Sequence, residues 1–231
     1  LSRAVTRAPT EPDEAREART APIDFEREAW GCGLRYVVGL DEVGCGPLAG
    51  PVVAGAVVLE RDSGPIEGVT DSKLLGPEER EAAVEVIRAT VLDWAVAAAS
   101  PREIERLNIR GATALAMRRA LARLTVEPER LLVDGLPLAG VGEHTAIVDG
   151  DRRCASIACA SILAKVVRDR LMRRLHPRYP DYGWDTNKGY ATAHHLEALR
   201  RVGPSPHHRA TWKPVAQLEI GFEALEAVER R

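Results

Sequence analysis

The chain lacks any apolar run long enough to cross a membrane. Its longest small and apolar stretch, Cys154 to Ala164, stops at Lys165, short of the roughly 20 residues a bilayer core demands. The first residues carry Arg3, Arg7, Glu11 and Asp13 around no apolar centre, so no secretory signal is expected and a soluble, cytoplasmic protein with no membrane partner is. Cysteine is scarce: the four thiols, at 32, 45, 154 and 159, form no Cys-x-x-Cys pair, and the six histidines complete no zinc pattern. Reduced thiols are expected. No internal repeat is visible. What the 231 residues do have is ordinary apolar content, 45%, enough for one compact domain or two small ones and too much for a wholly disordered chain.

Charge of one sign is missing overall, with a net of −2, but not locally. Between Arg152 and Lys213 stand 13 Arg and Lys against 4 Asp and Glu, a net of +9, together with five of the six histidines. A basic block inside a near-neutral chain fits a polyanionic partner. It equally fits a solvated helical face, and charge alone does not choose.

Residues 1–23, with Pro9, Pro12 and Pro22 among alternating Arg and Glu, read as a flexible leader. A short helix is expected over Asp24 to Ala29. Tyr36–Asp41 and Val52–Leu59 read as strands buried on both faces, separated by a Gly44–Gly50 loop whose three glycines and Pro47 forbid a regular helix. Pro77-Glu-Glu opens a helix with Val84, Ile87 and Val91 on its apolar stripe. A strand at Trp94–Ala99, a helix at Ile109–Leu124, and strands at Arg130–Asp134 and Ala146–Gly150 follow. A long helix is expected from Ser156 to Leu175, with Ile157, Ala160, Ala164, Val167, Leu171 and Leu175 on one face. Beyond Tyr179 the chain reads as irregular until a last helix near 215–229. The order β-β-α-β-α-β-β-α predicts an α/β sheet with a helical C-terminal appendage.

Acids recur where these strands end. Asp41 and Glu42 close the first, Asp134 the fourth, and Asp151 follows the fifth across Gly150. Strand ends are where open α/β sheets build sites. Carboxylates beside aliphatic residues are costly to desolvate, and several together repel one another. A divalent cation such as Mg²⁺ or Mn²⁺ relieves both problems, because hard ions take oxygen ligands. Two such ions ~3.5–4 Å apart can activate water and stabilise the leaving oxygen of a phosphodiester. Asp-Gly after a strand is also an ordinary turn signal, so the acids alone leave both a metal site and turn chemistry open. The glycine loop does not read as a dinucleotide fingerprint: Pro47 and a second strand follow where a helix would have to open.

Gly39-Leu-Asp-Glu-Val-Gly-Cys-Gly-Pro-Leu-Ala-Gly-Pro51, Asp71-Ser-Lys-Leu74, Asn108-Ile109 with Ala116-Met117, Val133-Asp-Gly135, Ser156-Ile-Ala-Cys-Ala-Ser-Ile-Leu-Ala-Lys165 with Arg168-Asp169, Asn187-Lys-Gly-Tyr190 and His208-Arg209 together resemble bacterial ribonuclease HII, the type 2 ribonuclease H. The resemblance runs from about Asp24 to Val215. It implies an α/β, ribonuclease H-like mixed five-stranded sheet flanked by helices, with a helical C-terminal region that helps to hold nucleic acid. The implied domains are a leader (1–23), a catalytic domain that includes the substrate-binding region (24–215) and a C-terminal helix (216–231).

The implied activity is cleavage of the RNA strand of RNA–DNA hybrids, and nicking 5′ of single ribonucleotides in duplex DNA, with two Mn²⁺ or Mg²⁺ ions. A non-catalytic hybrid binder on the same fold is the alternative, and a monomer is expected. The family's four metal-site acids fall on Asp41, Glu42, Asp134 and Asp151; the spacing to the Ser-Ile-Ala motif selects Asp151 over Asp149, where relatives often carry Lys. Successive strand residues point to opposite faces, so Asp41 is expected as the principal, bridging ligand and Glu42 as a contributor from the strand terminus or through its backbone. The family's Gly-Arg-Gly loop is Gly44-Cys45-Gly46 here. Tyr190 matches the family tyrosine that stacks on the sugar after the ribonucleotide, and the 2′-hydroxyl marks RNA. Ser72, Lys73, Lys188, His208 and Arg209 are expected phosphate contacts. Lys165 is read as either a contact or an intrahelical partner of Asp169.

Overall fold

The computed structural model describes residues 20–213, 215 and 216. Most of the expected leader, and the expected last helix beyond 216, lie outside the described residues. Their elements in order are α1 (Asp24–Gly31), β1 (Val37–Val43), β2 (Val52–Val58), α2 (Pro77–Thr90), β3 (Asp93–Ala99), α3 (Pro101–Leu121), β4 (Arg130–Asp134), β5 (Thr145–Ile147), α4 (Gly150–Arg153), α5 (Ala155–Leu175), α6 (Trp184–Asn187) and α7 (Ala193–Val202), with 3₁₀ turns at His176–Arg178 and Pro180–Tyr182. None of these helices is long and apolar enough to cross a membrane.

The five strands form one mixed sheet in the order β3-β2-β1-β4-β5. β1 pairs antiparallel with β2 and parallel with β4, and β4 pairs parallel with β5. β2 is buried along its whole length, as its unbroken apolar run predicts. Alternation along β1 and β2 sorts their side chains onto two faces. Val38, Leu40, Val52, Ala54 and Ala56 pack with Ala112, Ala116, Met117 and Ala120 of α3. Val37 and Val57 pack on the other face with Ile157, Ala160 and Ile162 of α5 and Ile87 of α2. A third cluster, Leu48, Ala49, Met172, Tyr182, Trp184, Ala198, Leu199 and Val215, holds the C-terminal region to the end of α5.

α5 lies on the sheet backbone itself, because both partners are small where they meet. A Cβ on Gly39 would stand 2.3 Å from the carbonyl carbon of Ser156, and one on Gly55 2.4 Å from the carbonyl oxygen of Ala160. Glycine in two central strands and the Ala/Ser-rich first half of α5 therefore complement one another.

Three elements depart from the sequence reading. The helix expected from Ile109 begins at Pro101: Ser100 caps it, accepting from the Glu103 amide at 3.3 Å while Glu103 accepts from the Ser100 amide at 2.8 Å. Asn108, at φ 56 and ψ 173, kinks this helix, and the kink hides its first two turns from a periodicity search. The strand expected to reach Gly150 stops at Ile147, and Gly150–Arg153 is a single helical turn. The stretch beyond Tyr179 is not irregular: α7 starts on a Thr192 cap that accepts from the His195 amide at 3.2 Å and stops at Gly203.

Gly55→Ala places a methyl against the Ala160 carbonyl, and we expect a loss of about 1–3 kcal/mol, the usual cost of overpacking a filled core. A urea or thermal unfolding curve measures it; a variant as stable as the parent would show that α5 moves off the sheet freely.

Candidate active site

β1, β4 and β5 are parallel and end on one edge of the sheet, so the acids that close them meet there. Leu40 pairs with Val133 and Asp134 with Ile147, which puts Asp41 and Asp134 on neighbouring strands one step beyond the last pairing of β1 with β4. Asp41 lies on the α5 face, follows Gly39 in the alternation and is only 5% exposed. Glu42 lies on the opposite face, where the thiol of Cys45 donates to its Oε1 at 3.5 Å and stands 3.5 Å from Thr113 Oγ1 of α3. A cleft of about 310 Å³ opens on this side, lined by Glu42, Cys45, Thr113, Asp134 and Leu136. Asp151 sits in the turn of α4 and is 4% exposed. Asp149 is exposed, in the left-handed region at φ 54, where it shapes the entry to α4.

Each carboxylate is tied to a donor of its own. Asp41 Oδ1 accepts from the Glu42 amide at 2.7 Å, and Asp134 Oδ1 from the Gly150 amide at 2.7 Å. Asp151 pairs with Lys73 Nζ at 3.1 Å. Among the described residues no three His, Cys, Asp or Glu side chains stand around one point as a ready-made ion site. The electrostatics nonetheless call for positive charge. Burial, then the charges of Glu42 and Asp134, push the Asp41 carboxyl well above the usual carboxylate range. Burial raises Glu42 and Asp151 as well, against the pull of Cys45 on the first and Lys73 on the second. An all-oxygen donor set carrying this excess of negative charge suits a hard divalent ion better than zinc or copper, which favour nitrogen and sulfur ligands.

The loop that leaves β1 is held from behind by two fully buried guanidinium groups. Arg209 donates to the carbonyls of Gly50 (3.1 Å, Nε), Cys45 (3.0 Å, Nη1) and Gly44 (2.5 Å, Nη2). Arg168 of α5 donates to Pro51 (3.0 Å), Ala49 (3.1 Å) and Lys188 (3.0 Å). In a trans peptide the C=O and the following N–H point in opposite directions. Drawing the Gly44 and Cys45 carbonyls inward therefore turns the Cys45 and Gly46 amides outward. Tyr190 stands over this segment, 43% exposed, with its Cε1 3.7 Å from where a Cβ on Gly46 would lie.

A family model for ribonuclease HII matches residues 38–215. The chain is 50% identical over 202 residues to a ribonuclease HII of Synechococcus sp. (strain JA-3-3Ab), covering 86% of this chain and 91% of the relative. To that of Delftia acidovorans it is 54% identical over 184 residues, 79% of this chain and 77% of the relative. The chain belongs to the ribonuclease HII family. Its fold is similar to the crystal structure of ribonuclease H2 from Pyrococcus horikoshii OT3, with a TM-score of 0.70 at 28% identity over 81% of this chain and 99% of that one. Membership makes it a ribonuclease H, a metal-dependent hydrolase acting on RNA–DNA hybrids.

Within this ribonuclease HII framework the expected phosphate contacts divide. Lys73 has a side chain 78% exposed beside Asp151. Lys188 is half-buried, its Nζ donating to the carbonyls of Asp185 and Thr186. Ser72, His208 and Arg209 are interior, with partners inside the protein: Ser72 Oγ lies 3.0 Å from Ser161 Oγ, His208 Nε2 lies 2.9 Å from His195 Nε2, and Arg209 donates to the loop carbonyls. Lys165 pairs with Asp169 at 2.9 Å. Sequence reasoning passed over Asp71, although it quoted the Asp-Ser-Lys motif. This buried carboxylate binds the Arg152 guanidinium at 3.0 Å and the Lys73 amide at 2.9 Å. Burial pushes its pKa up, but those partners outweigh it and hold the group ionised below its ordinary range. Asp71 thereby seats two cations beside Asp151. Ser161 was likewise missed: its hydroxyl, 3.0 Å from Ser72 Oγ, pulls the Asp41 carboxyl down against the larger effect of burial.

A carboxyl that titrates higher folded than unfolded costs stability at neutral pH and recovers it as pH falls. Asp41→Asn removes that cost, so in EDTA at pH 7 the variant is expected to be more stable than wild type by ~1 kcal/mol or more, the gap closing as the pH is lowered. Thermal unfolding across pH measures it. A variant that melts lower at every pH would mean the cluster is already neutralised.

Proposed function

We propose that this ribonuclease H cuts the RNA strand of hybrids and also nicks duplex DNA on the 5′ side of a single embedded ribonucleotide, leaving 3′-hydroxyl and 5′-phosphate ends. One observation carries the reading: the edge where the four acids gather continues without a break into the Gly44–Gly46 segment, over which Tyr190 stands. Chemistry and sugar selection thus share one loop.

Asp41, Glu42, Asp134 and Asp151 hold the metal, with Asp41 as the principal ligand from the α5 face and Glu42 reaching in from the α3 face. Two Mg²⁺ or Mn²⁺ ions there would supply the charge that activates a water and stabilises the leaving 3′-oxygen. The chain's own part is to bring four carboxylates together and release them from local donors: Lys73 must let go of Asp151, and its ammonium then faces the arriving phosphate. The outward amides of Cys45 and Gly46 donate to the ribonucleotide's sugar or phosphate, as paired backbone N–H groups do. Tyr190 offers a ring face to the next sugar. Ser72, Arg168 and Arg209 act by holding these parts in place.

Cleavage of a duplex with one ribonucleotide, in Mn²⁺ or Mg²⁺ and in EDTA, tests the proposal. A metal-dependent nick 5′ of the ribonucleotide is expected; binding without any nick would leave a hybrid-binding protein. Asp41→Asn and Asp134→Asn should lose cleavage by at least about a hundredfold, the scale on which removing one group that stabilises developing charge acts, while still binding duplex in a gel-shift assay. Near-normal rates in either would remove that residue from the metal site. Tyr190→Ala should lose more on the single-ribonucleotide duplex than on a long hybrid, and equal losses would count against its stacking role.

A further inference from the structure

Tyr190 and the Gly44–Gly46 loop come from distant stretches of chain, and a line of hydrogen bonds through two buried imidazoles joins them. His195 Nδ1 lies 2.9 Å from the carbonyl oxygen of Tyr190. That oxygen only accepts, so Nδ1 carries the proton. His195 Nε2 is then an acceptor, which matches the indole N–H of Trp184 donating to it at 3.3 Å. On His208 the assignment is reversed. Its Nδ1 accepts from the Ser205 amide at 2.9 Å, so its proton is on Nε2, which faces His195 Nε2 at 2.9 Å. With both rings neutral, His195 Nε2 is the shared acceptor of two donors, the His208 Nε2–H at 2.9 Å and the more distant indole N–H of Trp184 at 3.3 Å. A further proton on either ring would set two N–H groups against each other. Burial, then the neighbouring His195, pushes the pKa of His208 down to about 3, and burial lowers that of His195.

Both ends of this line are fixed. The Tyr190 carbonyl also accepts from the Thr192 amide at 2.8 Å. His208 forms a bridge with Ala49, the Gly50 amide donates to His207 at 2.9 Å, and the Arg209 amide donates to Leu48 at 2.9 Å. The Arg209 side chain then grips the carbonyls of Gly44 and Cys45. The backbone around His208 is therefore part of the loop's own scaffold, and His195 is part of Tyr190's.

We propose that the His195–His208 hydrogen bond is the strut that sets the gap between the Tyr190 ring and the Gly44–Gly46 segment, making both histidines positioning residues for selection of a ribonucleotide sugar. The inference rests on the reading that Tyr190 and this segment receive that sugar. Tyr190 Cε1 lies 3.7 Å from where a Cβ on Gly46 would stand, so the ring and the segment are neighbours with space between them for about one methyl group. Loss of the strut acts on which substrate is cut and leaves the four carboxylates untouched.

The test is the ratio of cleavage on a single-ribonucleotide duplex to cleavage on a long hybrid, measured as kcat/KM. A glutamine amide reaches the place of an imidazole Nε2, and an asparagine amide the place of Nδ1. His208→Gln therefore keeps the bridging donor, whereas His208→Asn cuts it while both lose the ring. We expect His208→Gln to hold the ratio within about twofold of wild type and His208→Asn to lower it roughly threefold to tenfold, the worth of one net hydrogen bond. His195→Gln, which keeps the contact to His208 but drops the donor to Tyr190, should lower the ratio similarly and serves if the His208 variants do not fold. Assays run below each variant's melting temperature separate selection from stability. A wild-type ratio in every folded variant, or equal losses in the two His208 variants, overturns the strut. Tyr190→Ala run alongside isolates the premise: an unchanged ratio there sinks the sugar-binding reading itself.

Discussion

Repulsion among carboxylates brought together at the ends of three parallel strands is the constraint around which this molecule is organised. Parallel pairing of β1, β4 and β5 leaves no choice about where Asp41, Asp134 and the turn carrying Asp151 will meet. The close seat of α5 on Gly39 and Gly55 brings helix backbone and Ser161 against the buried side of that edge. Such an edge is unfavourable alone. It persists because amides, a thiol and one ammonium each attend to one acid. None of those donors cancels the charge of the group, and a divalent cation does. The same features that make this edge costly when the protein is alone are what favour a divalent cation there, as the proposed function requires.

Positive charge is handled in the opposite way. Arg168 and Arg209 are buried and turn their donors on backbone carbonyls of the Ala49–Pro51 turn, the Gly44–Gly46 segment and Lys188. A guanidinium has five donors in a fixed fork and no acceptor, so it can gather several carbonyls where a lysine would satisfy fewer. Burial depresses the Arg209 pKa to about 10, which still leaves it charged at neutral pH. The result is two fixed positive charges behind a loop whose outward amides face the other way, a positive potential created without any flexible surface side chain.

The sheet and the acids were legible in the sequence for local reasons. Unbroken apolar runs mark central strands, a carboxylate directly after such a run marks a strand end, and small residues on one helical face mark close packing. What escaped was set by tertiary contact. Arg209 and His208 follow a proline-rich stretch in the most basic part of the chain, where a cation reads as a surface contact; nothing local says that both are enclosed. Arg168 is one of several arginines on α5, and only the approach of the Ala49–Pro51 turn separates it from its solvated neighbours. Asp151 was expected just past the end of the fifth strand; that strand stops earlier, at Ile147, and Asp151 lies in a helical turn the sequence did not announce, because four residues leave no periodicity. Asp71 carries a visible motif, yet its function depends on Arg152 and Lys73 arriving from elsewhere.

Cys45 stands where the resemblance to the family implies an arginine, and the structure shows how a cysteine is accommodated there. Its side chain turns inward to Glu42 and Thr113, and burial, then the charge of Glu42, pushes the thiol up to about 12. It is neutral at physiological pH and adds no charge beside an already crowded cluster. An arginine at this position could not follow the same path without burying a third guanidinium; it would have to point outward. Losing that side chain removes a possible phosphate grip but leaves the orientation of the Cys45 and Gly46 amides intact, because that orientation is imposed from behind by Arg209. On the proposed function, recognition through the peptide backbone would survive the substitution, whereas recognition through an arginine side chain would be lost.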